Sequence, residues 1–264
     1  MSGESCLRVD SPALPGVPSV TQGFPAAGPL AAVVLCGGLG TRLGGLTREL
    51  PKPLIQVAGA PFLSYVLDQL AATPVDEIVL AVSFHWQKIH AAVGERWRGV
   101  KVSYSVEKEP LGTGGAIKQA LELRGLSEAI VVNGDTLLQF DAGELVRLAR
   151  STGADICLAL KSTPDTARFG KVKIDGSGRV TAFEEKGASS QGLINSGMYF
   201  VQAAVFSGVE AAAFSFENDI LARRLTGLAI YGLPTEAYFV DMGVPEDLAR
   251  AQCDLRAMKG STDE

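Results

Sequence analysis

The sequence predicts an α/β fold, a mainly parallel, mixed sheet covered by helices. Two patterns point to it. Short apolar runs alternate with stretches of helical spacing, as in strands joined by crossover helices. A cluster of glycines follows the first apolar run directly, where such sheets turn their backbone N–H groups toward an anion. With 264 residues, 47% of them hydrophobic, the chain can form one domain with a full core.

Taken in order, residues 30–35, 77–82, 101–106 and 129–132 are apolar runs of strand length. Residues 62–72 carry Phe62, Val66 and Leu70 at helical spacing, with Pro61 suited to a first helical position. Residues 114–123 read as another helix. Asp141-Ala142-Gly143-Glu144 resembles a capping box opening a helix over 145–151. Residues 155–161 and 194–201 are strand-like, and 171–174 with 180–183 form a hairpin around Asp175-Gly176-Ser177-Gly178. This second half is expected on the same sheet rather than in a separate domain. Pro245-Glu246-Asp247 starts a last amphipathic helix with Leu248, Ala251, Cys253 and Leu255 partly inward.

Bulk properties exclude several classes. A net charge of −5 is no electrostatic footprint for nucleic acid, so anionic ligands must be held by a few local cations and backbone dipoles. No run approaches the ~18 apolar residues of a membrane-spanning helix. Cys6, Cys36, Cys157 and Cys253 form no CxxC pair and read as small buried or free thiols of a reducing compartment. His85 and His90, far from any cysteine, read as surface or edge residues, and a zinc site is not expected. Residues 1–29, rich in Pro, Gly, Ala and Ser, read as a flexible extension without the design of a secretory signal. The expected location is cytoplasmic.

The stretch LCGGLGTRLGGLTRELPKPL, residues 35–54, is the most informative. Gly37, Gly38 and Gly40 allow a tight turn, and Arg42 and Lys52 add cations suited to a polyphosphate. It is no P-loop, because no Gly-Lys-Ser or Gly-Lys-Thr follows. It is a poor dinucleotide fingerprint, because Leu43 stands where the third Gly or Ala belongs. A strand-to-helix turn without a ligand is the plain alternative; Arg42, Lys52 and the flanking Pro51 and Pro53 argue against it. Asn133-Gly134-Asp135 ends a strand, a place where Asp holds Mg²⁺ or simply makes a turn. Asp241, after Phe239-Val240, is either a second such carboxylate or a helix cap.

GGLGTRL followed by PKPL resembles the signature of the sugar-1-phosphate nucleotidylyltransferases, which join a sugar 1-phosphate and a nucleoside triphosphate into a nucleotide sugar and pyrophosphate. The resemblance runs from about residue 30 to about residue 258. It implies a Rossmann-like single domain of the nucleotide-diphospho-sugar transferase type over residues 30–260, with an N-terminal nucleotide half and a C-terminal sugar-phosphate half. Nothing after Asp241 resembles the hexapeptide repeats of some relatives.

The resemblance also implies roles. Leu35, Gly37, Gly38, Gly40 and Thr41 face the nucleotide. So do Glu107, Gly112 and Thr113, in a segment that resembles EPLGTAGA with Gly115 as a small departure. Gly134, Gly170 of Phe169-Gly170, Asn195 of Asn195-Ser196-Gly197, and Glu185 and Lys186 of an FxEK-like element hold the sugar phosphate. Without the resemblance, Glu184-Glu185-Lys186 reads as a solvated charge run. Asp135 and Asp241 bind Mg²⁺. Arg42, Lys52, Asp135 and Lys186 form the catalytic set.

No base is needed, since a phosphomonoester with a second pKa of about 6 is already largely dianionic at neutral pH. Within the family, the 214–219 segment and YFVDMGVPEDLARAQ look most like bacterial guanylyltransferases for D-glycero-D-manno-heptose 1-phosphate, which implies GTP as the nucleotide. Mannose-1-phosphate guanylyltransferases come next, then glucose-1-phosphate uridylyl-, thymidylyl- and cytidylyltransferases. Cys36 in place of Ala and Leu248 in place of an aromatic are departures that do not touch the chemistry. A non-catalytic nucleotide-sugar-binding relative would be expected to lack a metal Asp or Arg42, and all are present. A homo-oligomer is left open.

Overall fold

The computed structural model describes residues 30–38, 50–187 and 190–260. The expectations placed on Gly40, Thr41, Arg42, Cys6 and the 1–29 extension lie outside the described residues.

Four strands make the parallel centre: β1 (Ala31–Leu35), β4 (Glu77–Val82), β6 (Val100–Val106) and β7 (Glu128–Asn133). β1 lies between β7 and β4, and β6 flanks β4. Their near-continuous apolar sequences fit strands covered on both faces. Val33, Val79 and Val131 point to one face, and Val34, Leu80 and Val132 to the other.

The first face packs on α3 (Gly112–Arg124) and on a π-helical turn, Phe216–Ala222. The second packs on α1 (Phe62–Ala71), α2 (Trp86–Val93), α4 (Gly143–Thr152) and α5 (Pro245–Gly260). α1 buries Phe62, Leu63, Val66, Leu67 and Leu70, each worth about 1.5–3 kcal/mol. The small strands β2 (Gln56–Val57), β3 (Ala60–Pro61) and β5 (Arg96–Trp97) lie at turns.

The second half joins the same ten-stranded sheet. β12 (Gly192–Gln202) pairs antiparallel with β7 and with β9 (Ile156–Thr163). Its register breaks between Asn195 and Tyr199, where Gly197 has φ +79°. Before the break β12 also meets the hairpin of β10 (Lys171–Ile174) and β11 (Val180–Glu184). A separate two-stranded piece pairs β8 (Thr136–Leu138) with β14 (Phe239–Asp241).

Several expectations need correction. α3 starts at Gly112, not Gly114, because Gly114 N–H donates to Phe214 O (3.0 Å) and Phe214 N–H to Leu111 O (2.9 Å), which docks the glycines against a distant segment. No capping box forms on α4: the cap residue is Ala142, Asp141 Oδ1 accepts from Gly143 N–H (2.8 Å) from one position earlier, and Glu144 turns to Arg147 (2.6 Å). His90 is not a plain surface residue: its ring lies between Trp86 and Tyr104, 4.9 Å from the latter. α2 and the strand β13 (Ile230–Thr235), parallel to β9, were not expected at all. Cys36 and Cys157 are buried and unpaired, as expected of structural thiols.

Candidate active site

The site lies beyond the carboxyl ends of β1 and β7, where open α/β sheets bind ligands. Leu35 ends β1 opposite Asn133 of β7, and Gly134 N–H donates to Leu35 O (2.9 Å). Gly37 follows: its carbonyl accepts from Ser83 Oγ (2.7 Å), and its Cα faces the Glu107 carboxylate so closely that a Cβ would stand 2.7 Å from Oε1. Gly38 is exposed beside it. Glu107 Oε2 accepts from Leu111 N–H (3.0 Å); burial raises the Glu107 pKa above the usual carboxylate range, and that N–H opposes the shift.

Lys52 sits in a short 3-10 turn, Lys52–Leu54, with Pro51 before it and buried Pro53 and Leu54 as anchors. This frame points its ammonium at Asp135, with which it forms an ion pair. Pairing of β14 with β8 sets Asp241 opposite Thr136, and Met242 N–H donates to Asp135 O (3.0 Å). Two carboxylates from strand ends more than a hundred positions apart in sequence thus become neighbours. Burial first, then the Asp135 charge, push the Asp241 carboxyl up, while Lys52, Gly243 N–H and Arg168 pull it down.

Among the described residues no cluster of three or more His, Cys, Asp or Glu side chains forms a metal cage. The Asp135 and Asp241 pair still fits a magnesium-type ion. Such an ion takes one or two carboxylates and completes its shell with water and phosphate oxygens. The mutual repulsion of the two carboxylates is what such a cation would relieve.

A cleft of about 800 Å³ opens from Asp241. Gly170, Glu185, Lys186 and Asn195, assigned to the sugar phosphate by the family resemblance, all line it. Lys186 and Glu185 are exposed, and no described residue pairs with either. Asn195 is already engaged: its Nδ2 donates to Tyr199 Oη (2.8 Å) and its Oδ1 accepts from Gly197 N–H (3.0 Å). Gly112 and Thr113 are placed against the Phe214–Glu217 segment, which also borders the cleft.

Two residues near the site carried no assignment from sequence. Arg168, one position before Phe169-Gly170, donates from Nη1 to Asp247 Oδ2 (2.6 Å) and lies over the Phe169 ring, 5.1 Å from its centroid. Asn133 lines the cleft with a buried Oδ1 that lacks a hydrogen bond. Only its place before Gly134-Asp135 marked it.

Glycines after β1, a pair of carboxylates at strand ends and a polar cleft beside them lie together at the carboxyl edge of the sheet. Residues 31–257 match the family model for nucleotidyl transferases, and the chain belongs to that family as a sugar-1-phosphate nucleotidylyltransferase. It is 39% identical over 228 residues to the D-glycero-alpha-D-manno-heptose 1-phosphate guanylyltransferase of Aneurinibacillus thermoaerophilus, covering 86% of this chain and 99% of that one. The enzyme of the same description from Campylobacter jejuni is 40% identical over 219 residues, 83% of this chain and 96% of that one. The crystal structure of HddC from Yersinia pseudotuberculosis complexed with GMP-PN superposes with a TM-score of 0.75 at 33% identity, covering 86% of this chain and 99% of that one.

Proposed function

We propose that this enzyme joins GTP to D-glycero-D-manno-heptose 1-phosphate, giving GDP-heptose and pyrophosphate. One observation carries the reading of the site: Asp135 and Asp241 meet at the mouth of a cleft that also holds Glu185 and the unpaired Lys186. The heptose and guanine assignments draw on the relatives described above. Glu107 is compatible with guanine, although adenine and cytosine also carry an amino donor. A carboxylate only accepts hydrogen bonds, and guanine offers the N2 amino donor on its base edge.

In this reading residues 30–260 form the catalytic unit. The first half holds the nucleotide on Leu35, Gly37, Gly38, Gly40, Thr41, Glu107, Gly112 and Thr113. The second holds the sugar phosphate on Gly170, Glu185, Lys186 and Asn195, with Gly134 beside them. A sugar-phosphate oxygen attacks the α-phosphorus in line, the bond from that phosphorus to the bridging oxygen breaks, and pyrophosphate leaves with the electron pair. Lys186 aligns the dianionic nucleophile, and Arg42 holds the departing pyrophosphate. Lys52, paired with Asp135 in the free protein, turns to the phosphates when substrate arrives. Catalysis is thus positioning and charge neutralisation. Mg²⁺, held by Asp135 and Asp241, would neutralise charge at the α-phosphate. No helix among the described residues is long and apolar enough to cross a membrane, and the unpaired buried thiols suit a reducing compartment, so we place the enzyme in the cytoplasm.

The test is pyrophosphate release with Mg²⁺ across GTP, ATP, UTP, dTTP and CTP, each against heptose, mannose and glucose 1-phosphates. The highest kcat/KM is expected for GTP with the heptose phosphate. A faster reaction with mannose 1-phosphate would replace the sugar, and a faster reaction with another nucleotide would remove Glu107 from guanine recognition.

A further inference from the structure

The cleft is lined by the β10–β11 hairpin and also by the π-helical turn Phe216–Ala222, which contributes Glu217, Asn218, Leu221 and Ala222. π-Turns are rare and occur mostly at functional sites, because the wider turn costs stability that packing alone does not require. This one is fixed at its N-terminal end by a reciprocal pair of bonds. Ser215 Oγ accepts from Asn218 N–H (3.1 Å), and Asp219 Oδ2 accepts from Ser215 N–H (2.8 Å).

The turn is also locked to the start of α3. Thr113 Oγ donates to Glu217 Oε2 (2.7 Å) and accepts from Phe216 N–H (2.9 Å). Ser215 Oγ donates to the same Oε2 (3.1 Å). Gly112, at φ +67°, lies so near Phe214 O that a Cβ would stand 2.6 Å from it. A side chain there would push the turn out of register.

The consequence is an oriented carboxylate. Glu217 Oε2 takes both hydrogen bonds, and Oε1 has no partner among the described residues. Glu217 is half-buried and borders the cleft, and burial first, then the Glu217 charge, raise the pKa of the neighbouring Tyr199. A structural carboxylate would be expected to use both oxygens. One that is fixed through one oxygen and presents the other to a polar cleft is built to accept.

We propose that Glu217 is a further recognition residue of this enzyme, and that its free Oε1 accepts a hydrogen bond from a hydroxyl of the sugar 1-phosphate. The proposal rests on the reading of the cleft as the sugar-phosphate pocket, not on which sugar occupies it. Glu185 and Glu217 then both grip the polyol.

The experiment compares wild type, Glu217→Gln and Glu217→Ala, with KM measured separately for GTP and for the sugar 1-phosphate that the wild type turns over fastest. Glu217→Gln is the shape-preserving variant: its amide oxygen still accepts from Thr113, while the cleft now meets a donor. A rise of about 10- to 100-fold in sugar-phosphate KM is expected for both variants, as for loss of a hydrogen bond to a charged group. The GTP KM should stay within about threefold, inside the scatter expected for a residue that does not touch the nucleotide. An unmoved sugar-phosphate KM in Glu217→Gln would overturn the proposal. An equal rise in both KM values would overturn it in favour of a purely structural latch. A wild type silent with every sugar phosphate would instead overturn the functional reading, and this proposal with it.

Discussion

In the proposed reading Glu107 serves the nucleotide and Glu185 the sugar phosphate, and the surroundings of the two differ. Glu107 is half-buried, pinned by Leu111 N–H and pressed against Gly37. Glu185 and its neighbour Lys186 are exposed at the end of β11, with no partner among the described residues. Glu107 is therefore set before the ligand arrives. Glu185 and Lys186 are long side chains whose order must come from the ligand. A preset acceptor loses little freedom on binding, whereas immobilising Lys and Glu side chains costs about 0.5–1.5 kcal/mol each. The physical lesson is that fixed geometry suits the planar base. Adjustable groups suit a phosphate that must be carried to the α-phosphorus.

The largest effect should come from breaking the adjustable side. Lys186→Ala is expected to lower kcat by about 100-fold or more, the scale of losing one oxyanion-hole donor. An exposed side chain without partners contributes little to stability, so its melting temperature should match wild type. Near-normal turnover would remove Lys186 from the mechanism.

On the preset side, Glu107→Gln should reduce kcat/KM for GTP by about 10- to 100-fold. The KM for the sugar phosphate should hardly move. A variant equally poor with both substrates would show that the two walls are not separable.

The smallest effect concerns Asp241, where the halves meet. Its folded-state pKa is raised by burial and by Asp135. The folded protein therefore binds that proton more tightly than the unfolded chain. The associated stability is complete below the unfolded pKa and is lost as pH rises through the higher folded value. Without divalent cations, thermal scans should show stability declining across that window. Asp241→Asn should remove this part of the slope and raise the melting temperature at neutral pH by a few degrees. A lower melting temperature for Asp241→Asn would mean that the carboxylate's hydrogen bond to Gly243 N–H outweighs its repulsion from Asp135.

Much of the fold was legible because the central strands are apolar on both faces. Residues 77–82 were expected as a strand, and Glu77–Val82 is one. The same holds, within a residue or two, for β1, β6, β7, β9 and β12. α2 escaped notice because it buries only Ile89 and Val93 and otherwise reads as polar. β13 escaped because Gly232 and Pro234 break its pattern; its pairing with β9 supplies what its own composition does not.

At the site, the chain alone offered part of the chemical inventory: the glycines after β1, Lys52 between prolines, and Asp135 and Asp241 at strand ends; Glu185-Lys186 stood out only through the family resemblance. The former are readable because each depends on local residue types and short spacing. Tertiary structure decided which of them meet. Asp241 stands beside Asp135 only because β14 pairs with β8. Glu217 points into the cleft only because Thr113, 104 positions away, holds its other oxygen. Hydrogen bonds of that reach have no signature in local sequence, since their free energy is gained only after the intervening chain has folded.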